Sequence, residues 1–192
     1  MTRGVAGWLA LCALLAVGAV AARWAPVAAL AWQPDLVLIE PWRAWSAAFE
    51  HLSLRHLSAN LIGCAVVAAF GAAARVPAGS CWAWMLAWPL GHVALVLQPA
   101  LTRYAGASGV LHAGVAIAAW HLLRHDTGRR RLVGAAVMAG LAVKLLLEKP
   151  WSAPTQQIGG WDFPVAPVAH AAGAITGLLC AMLFDGRAKA QR

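Results

Sequence analysis

Six apolar runs follow one another along the chain with only short polar interruptions, and that alternation leaves few folds open. They cover about Val5 to Leu30, Leu54 to Ala74, Cys81 to Leu101, Ser108 to Leu123, Leu132 to Leu147 and Pro167 to Phe184. A helix crosses the hydrocarbon core of a bilayer with roughly 20 apolar residues, so these runs read as spans. Of the 192 residues, 61% are hydrophobic and 11% charged, too little polar material to cover a soluble domain. The expectation is an all-α membrane protein with six transmembrane helices, one membrane domain over residues 1–192 and no separate soluble part.

The net charge of +8 would suit a nucleic-acid binder. Here the basic residues sit in short tails and loops between apolar runs, which fits a membrane protein and excludes nucleic acid as the partner. Six spans put both termini on one side with Arg3, Arg75, Arg124, Arg129, Arg130, Arg131, Arg187, Lys189 and Arg192. The other side holds Arg23, Arg43, Arg55, Arg103, Lys144 and Lys149. The larger, denser set marks the cytoplasm, so loops 31–53 and 148–166 and the approach to Ser108 face outward. A bacterial inner membrane, with any active site opening to the periplasmic side, is the expected location. Cys12, Cys64, Cys81 and Cys180 lie inside apolar runs without metal-binding spacing and read as core residues. The first run resembles a signal peptide in its small residues, but it continues into more hydrophobic sequence and reads as a retained span.

This topology brings several polar residues to one depth. His56 and Asn60, one helical turn apart on one face, lie near the outer end of span 2. Ser108 opens span 4 within Gly106-Ala107-Ser108-Gly109, and His170 lies about one turn inside the outer end of span 6. Polar groups inside a membrane are costly and tend to pair or to line a water-filled cavity. Singly, His56 and Asn60 read as glue between helices, Ser108 as a helix N-cap, and His170 equally as a satisfied buried histidine or as a base. Together they suggest a site. Gly173 and Gly177 of span 6, with Gly109, Ala113 and Gly114 of span 4, would allow the close helix approach that brings His170 to Ser108, although Gly177 also reads as generic small-residue packing.

Four motifs in order resemble the rhomboid family of intramembrane serine proteases: Glu40-Pro-Trp42-Arg43, His51-x4-His56-x3-Asn60, Gly106-Ala-Ser108-Gly109, and Ala169-His170-x2-Gly173-x3-Gly177. The resemblance implies a rhomboid-type six-helix bundle and a Ser108–His170 dyad without a carboxylate. It implies oxyanion donors from His56, Asn60 and the Ser108 N–H, structural roles for Arg43 and His51, and no cofactor. Many family members carry a tyrosine four residues after the serine, stacked on the histidine; this chain has His112 there. Ser108-Gly-Val-Leu-His112 is similar to the rhombosortase branch, associated with removing C-terminal GlyGly-type sorting tails from exported bacterial proteins.

The partners implied are transmembrane or C-terminally anchored protein substrates and the lipid bilayer. Lateral access is expected between spans 2 and 5, into a hydrophilic cavity open to the outside. Loop 148–166, with Gly159-Gly160, Trp151 and Trp161, reads either as its lid or as a plain connector. His51, His56, His112 and His170 raise a metal alternative, but there is no HExxH and no carboxylate is expected inside the membrane beside them, so none is assigned. Two rivals remain. A non-catalytic relative that only binds membrane helices would lack the serine or the histidine. A small channel or transporter would continue its polar residues through the bilayer.

Overall fold

The computed structural model describes residues 1–25 and 27–190, with side chains described except at 27, 28 and 186–190. Of the basic residues counted for orientation, Arg192 and the side chains of Arg187 and Lys189 therefore lie outside the described residues. Among the described residues there are six long helices: α1 (Arg3–Ala21), α2 (Leu54–Ala74), α3 (Ala78–Val93), α4 (Ser108–His125), α5 (Gly128–Glu148) and α6 (Pro167–Ala190). Two one-turn helices, Val27–Leu30 and Arg43–Ser46, punctuate the long segment between α1 and α2.

Local chemistry explains several boundaries. Thr2 and Ser53 cap α1 and α2, their hydroxyls accepting the Val5 and His56 N–H groups at 3.3 and 3.1 Å. Arg75 closes α2 in the left-handed conformation with φ 54°. Proline opens α6, where its missing N–H costs nothing. Pro89 lies inside α3, which continues past it to Val93 and then tightens into a 3-10 turn over Ala94–Leu97. The first apolar run is not one helix: α1 ends at Ala21 and a 3-10 turn follows over Ala22–Trp24.

Four stretches are long and apolar enough to cross a membrane, Arg3–Trp24, Leu54–Ala74, Ala78–Leu97 and Pro167–Asp185. The remaining two long helices carry more polar residues: α4 has three histidines and an arginine, and α5 has three arginines, a lysine and a glutamate.

Helix α4 is the hub, packed against α2, α3, α5 and most extensively α6. Its residues Ala113, Ala116, Ile117, Ala118 and Ala119 are almost wholly enclosed. Two tryptophans tie α1 to α2 and α3 to α4. Trp8 and Trp84 pack at 4.3 Å between ring centroids, and their N–H groups donate to the Val67 and Val110 carbonyls at 2.9 and 2.8 Å. Each thus buries an apolar body without stranding its polar tip.

The α4–α6 contact is backbone against backbone. A methyl group on Gly109 would lie 2.7 Å from the Ala169 carbonyl oxygen, and one on Gly177 would lie 2.6 Å from that of Ala113. One on Gly173 would overlap the Gly109 carbonyl. Gly177 thus meets the backbone of the partner helix as Gly173 does, though less tightly, which is more than generic small-residue abundance requires. The absence of three side chains sets the separation of these helices.

Candidate active site

The loop before α4 is held in an unusual path. Gly106 has φ 126°, a region that side-chain-bearing residues rarely adopt, and its N–H donates to the Ala47 carbonyl at 2.8 Å. Ala107 takes the N-cap position without a side-chain bond, so Ser108 is the first residue of α4 and is not its N-cap. From there Ser108 Oγ lies 3.0 Å from His170 Nε2, across the glycine seam between α4 and α6.

The opposite nitrogen of that imidazole is engaged too. His170 Nδ1 lies 2.9 Å from Glu148 Oε2, and the other carboxylate oxygen pairs with Lys144 Nζ at 2.5 Å. Lys144 Nζ also lies 3.4 Å from His170 Nδ1. This corrects the expectation of a histidine without a carboxylate beside it. The sequence reading ends span 5 at Leu147 and places Glu148 in the following loop. Helix α5 instead runs through Glu148, one turn beyond Lys144, so the carboxylate projects onto α6. An ionised carboxylate only accepts hydrogen bonds, so the Nδ1 proton faces Glu148 and the Nε2 lone pair faces Ser108.

His112 lies one turn along α4 from Ser108. Its ring stacks on that of His170 at 4.3 Å and 11°, and its Nδ1–H donates to the Ser108 carbonyl at 2.7 Å. The stack holds one face of the His170 ring. Tyr104 is a neighbour that sequence reasoning missed. Its hydroxyl lies 3.2 Å from Ser108 Oγ and accepts from the Gly109 N–H at 3.4 Å. With Ser108 donating to His170, the tyrosine is left to donate to Ser108 Oγ. A sole tyrosine four residues before the serine was the available signal.

His56 and Asn60 are buried on α2, both lining the same cavity as Ser108 and His170. The Leu52 N–H points to His56 Nδ1 at 3.3 Å, which leaves Nε2–H as the ring's donor, and Nε2 packs against Gly106. Asn60 Nδ2 donates to the His56 carbonyl at 3.1 Å, with its second N–H still available. His51 and Arg43 stand farther out. His51 meets His56 edge to face at 4.7 Å and bonds the Phe49 carbonyl at 3.0 Å; burial holds its ring below the ordinary histidine range, hence neutral. Arg43 pairs with Glu40 and donates to the Ala31 carbonyl at 2.9 Å, tying the outer segment together. The four histidines of the metal alternative form two ring pairs, and among the described residues no group of three histidine, cysteine, aspartate or glutamate side chains converges on a metal position.

These residues end a cavity of about 660 Å³. Its walls come largely from apolar residues of α2 (Ala59, Gly63, Val66, Val67) and α5 (Val137, Gly140, Leu141), so it is less hydrophilic than expected. The polar groups gather at one end: Ser108, His56, Asn60, His112, Lys144, Glu148 and His170. Segment 149–166 covers that end. Phe163 stacks on His56 at 4.3 Å, Ser53 Oγ donates to Asp162 at 2.9 Å, and Arg55 donates to the Gly160 carbonyl. Trp161 packs edge-on against Phe163.

The arrangement can remove a proton from a serine hydroxyl beside a largely apolar cavity. No curated protein matches the chain. The Rhomboid domain family matches residues 39–186. That match covers most of the sequence and every residue of the site just described. With its four apolar helices of spanning length, this is an integral membrane protein, and it belongs to the rhomboid family of intramembrane serine proteases.

Proposed function

We propose that this chain is an active intramembrane serine endopeptidase that cleaves membrane-anchored protein segments. The observation that carries the reading is the 3.0 Å approach of Ser108 Oγ to His170 Nε2 at the polar end of an apolar-walled cavity. A non-catalytic helix binder has no need of a hydroxyl so placed. A channel is disfavoured by the interior of α4, whose Ala113 to Ala119 segment is tightly packed and almost wholly apolar.

In this reading α4 and α5 also span the bilayer, giving six spans, both termini in the cytoplasm of a bacterium and a site open to the periplasmic side. Substrate enters laterally between α2 and α5, both of which line the cavity. His170 Nε2 takes the Ser108 proton as Oγ bonds to the scissile carbonyl carbon. The tetrahedral intermediate collapses, the C–N bond breaks and the imidazolium protonates the leaving amine. Water then attacks the acyl-serine with the same histidine as base, which frees a carboxylate and restores Ser108.

Donors for the oxyanion are the Ser108 N–H, His56 Nε2–H and the Asn60 amide. The N–H groups of the first turn of α4 have no intrahelical acceptor, and the helix end adds partial positive charge. His112 on the His170 ring supports the narrower, rhombosortase-like reading, with C-terminal GlyGly-type tails as substrates. A general protease of single-span substrates is the alternative within the same chemistry.

The test expresses wild type and Ser108→Ala beside an exported reporter ending in a GlyGly segment, an apolar helix and a basic tail. Cleavage near the glycines, read as a new C-terminus by mass spectrometry and absent in Ser108→Ala, supports both parts. Labelling of wild-type Ser108 by a fluorophosphonate probe without reporter cleavage retains the protease and rejects that substrate. If neither occurs, the helix-binding alternative stands.

A further inference from the structure

We infer that Glu148 is a positioning residue that completes a Ser108–His170–Glu148 relay, with Lys144 as the carboxylate's counter-ion. The inference rests on the protease reading and concerns a residue for which the family motifs supply no role.

Three observations carry it. First, both nitrogens of His170 have partners of complementary kind at hydrogen-bond distance: a carboxylate oxygen at 2.9 Å on Nδ1 and a hydroxyl oxygen at 3.0 Å on Nε2. Neutral imidazole has two tautomers, and only the one protonated at Nδ1 can accept the serine proton at Nε2. A carboxylate on Nδ1 selects that tautomer, whereas a carbonyl or water there would hold it less firmly.

Second, the pair sits where charge matters. The side chains of His170 and Glu148 are 9% and 18% exposed. An imidazolium formed there is poorly solvated by water, and the adjacent carboxylate offsets its charge. The proton moves from Ser108 Oγ to Nε2 only, and the Nδ1 proton stays on the ring and keeps its bond to Glu148.

Third, the carboxylate is itself held. Its second oxygen receives Lys144 Nζ at 2.5 Å, an i, i+4 pair on α5, so the oxygen facing His170 is not free to rotate away. The nearby ammonium also opposes charge on His170, so the triplet makes little sense as a device to accumulate positive charge. It makes sense as a mount that fixes the ring. His112 completes the mount from the face.

Two substitutions separate this role from a purely structural one. Glu148→Gln keeps size and shape and loses the charge; Glu148→Asp keeps the charge and loses one methylene. The measurement is the rate of Ser108 phosphonylation by a fluorophosphonate probe, in which the Oγ–P bond forms, fluoride leaves and His170 takes the proton. Wild type, both variants and Ser108→Ala are compared as full-length protein in detergent micelles, with thermal unfolding followed in parallel. The relay predicts that Gln lowers the maximal inactivation rate about 10²–10⁴-fold with the probe's half-saturating concentration unchanged, and that Asp recovers at least tenfold of that loss. Gln labelling as fast as, or faster than, Asp overturns the relay, because a shape-holding residue tolerates the isostere better. A variant that unfolds at the assay temperature is replaced by the pair in a Lys144→Gln background, where the same ranking applies. Failure of wild type itself to label would sink the protease reading instead, so the two failures are told apart.

Discussion

Replacing Gly109 by alanine adds one methyl group at the place where the helix of Ser108 touches the helix of His170. Built on the present backbone, that carbon lies 2.7 Å from the Ala169 carbonyl oxygen, whereas ordinary contact begins at 3.4 Å. The obstacle is backbone on a buried helix, so α6 must yield by about 0.7 Å, and the residue carried with it is His170. The Ser108–His170 distance of 3.0 Å would then stretch to about 3.7 Å, outside hydrogen-bonding range. Misplacement of about 1 Å can cost on the order of 10²-fold in rate, so a loss of about 30- to 100-fold in kcat is expected. Stability changes less. Overpacking costs about 1–3 kcal/mol, offset by about 0.5–1 kcal/mol from replacing glycine inside a helix. The assay is fluorophosphonate labelling of Ser108 beside reporter cleavage, with thermal unfolding followed in the same preparations. Labelling within twofold of wild type at an unchanged melting temperature would refute the idea that this seam sets the Ser108–His170 distance.

Two further substitutions address the far side of the serine. Asn60→Ala removes a proposed oxyanion donor and should lower kcat by about 10²–10³ with little change in KM; an unchanged kcat would remove Asn60 from that role. Gly106→Ala combines φ 126° with a carbon placed 2.6 Å from His56 Nε2. It should cost about 1–3 kcal/mol in unfolding experiments and depress cleavage as well, and a neutral result would contradict the loop path.

How much could be read from sequence depended on whether local chemistry or long-range packing decided the outcome. The limits of α2 were legible because Ser53 caps it and Arg75 ends it, both local effects. The meeting of Ser108, His170, His56 and Asn60 at one cavity was legible too, since depth in a membrane follows from position along a span. Glu148 was missed for an opposite reason. Hydropathy ends a span where charge begins, but the helix itself had no reason to stop there, and its one further residue supplies the carboxylate. Tyr104 was hidden because its position depends on the loop path through Gly106 and the pairing with Trp32 across the outer segment. Gly177 was underrated because small residues are abundant here, and only the partner helix reveals which of them are in contact.

The seam between α4 and α6 has one consequence for how such a site tolerates its surroundings. A bilayer varies in thickness and lateral pressure, and side chains between two helices answer such changes by switching rotamers. Where Gly109 and Gly173 meet, there is no rotatable bond between the two backbones, so the gap is a fixed spacer set by covalent geometry. The serine and the histidine beside it are mounted on a joint without play, and lipid composition would act on segment 149–166 and the side wall long before it reached them.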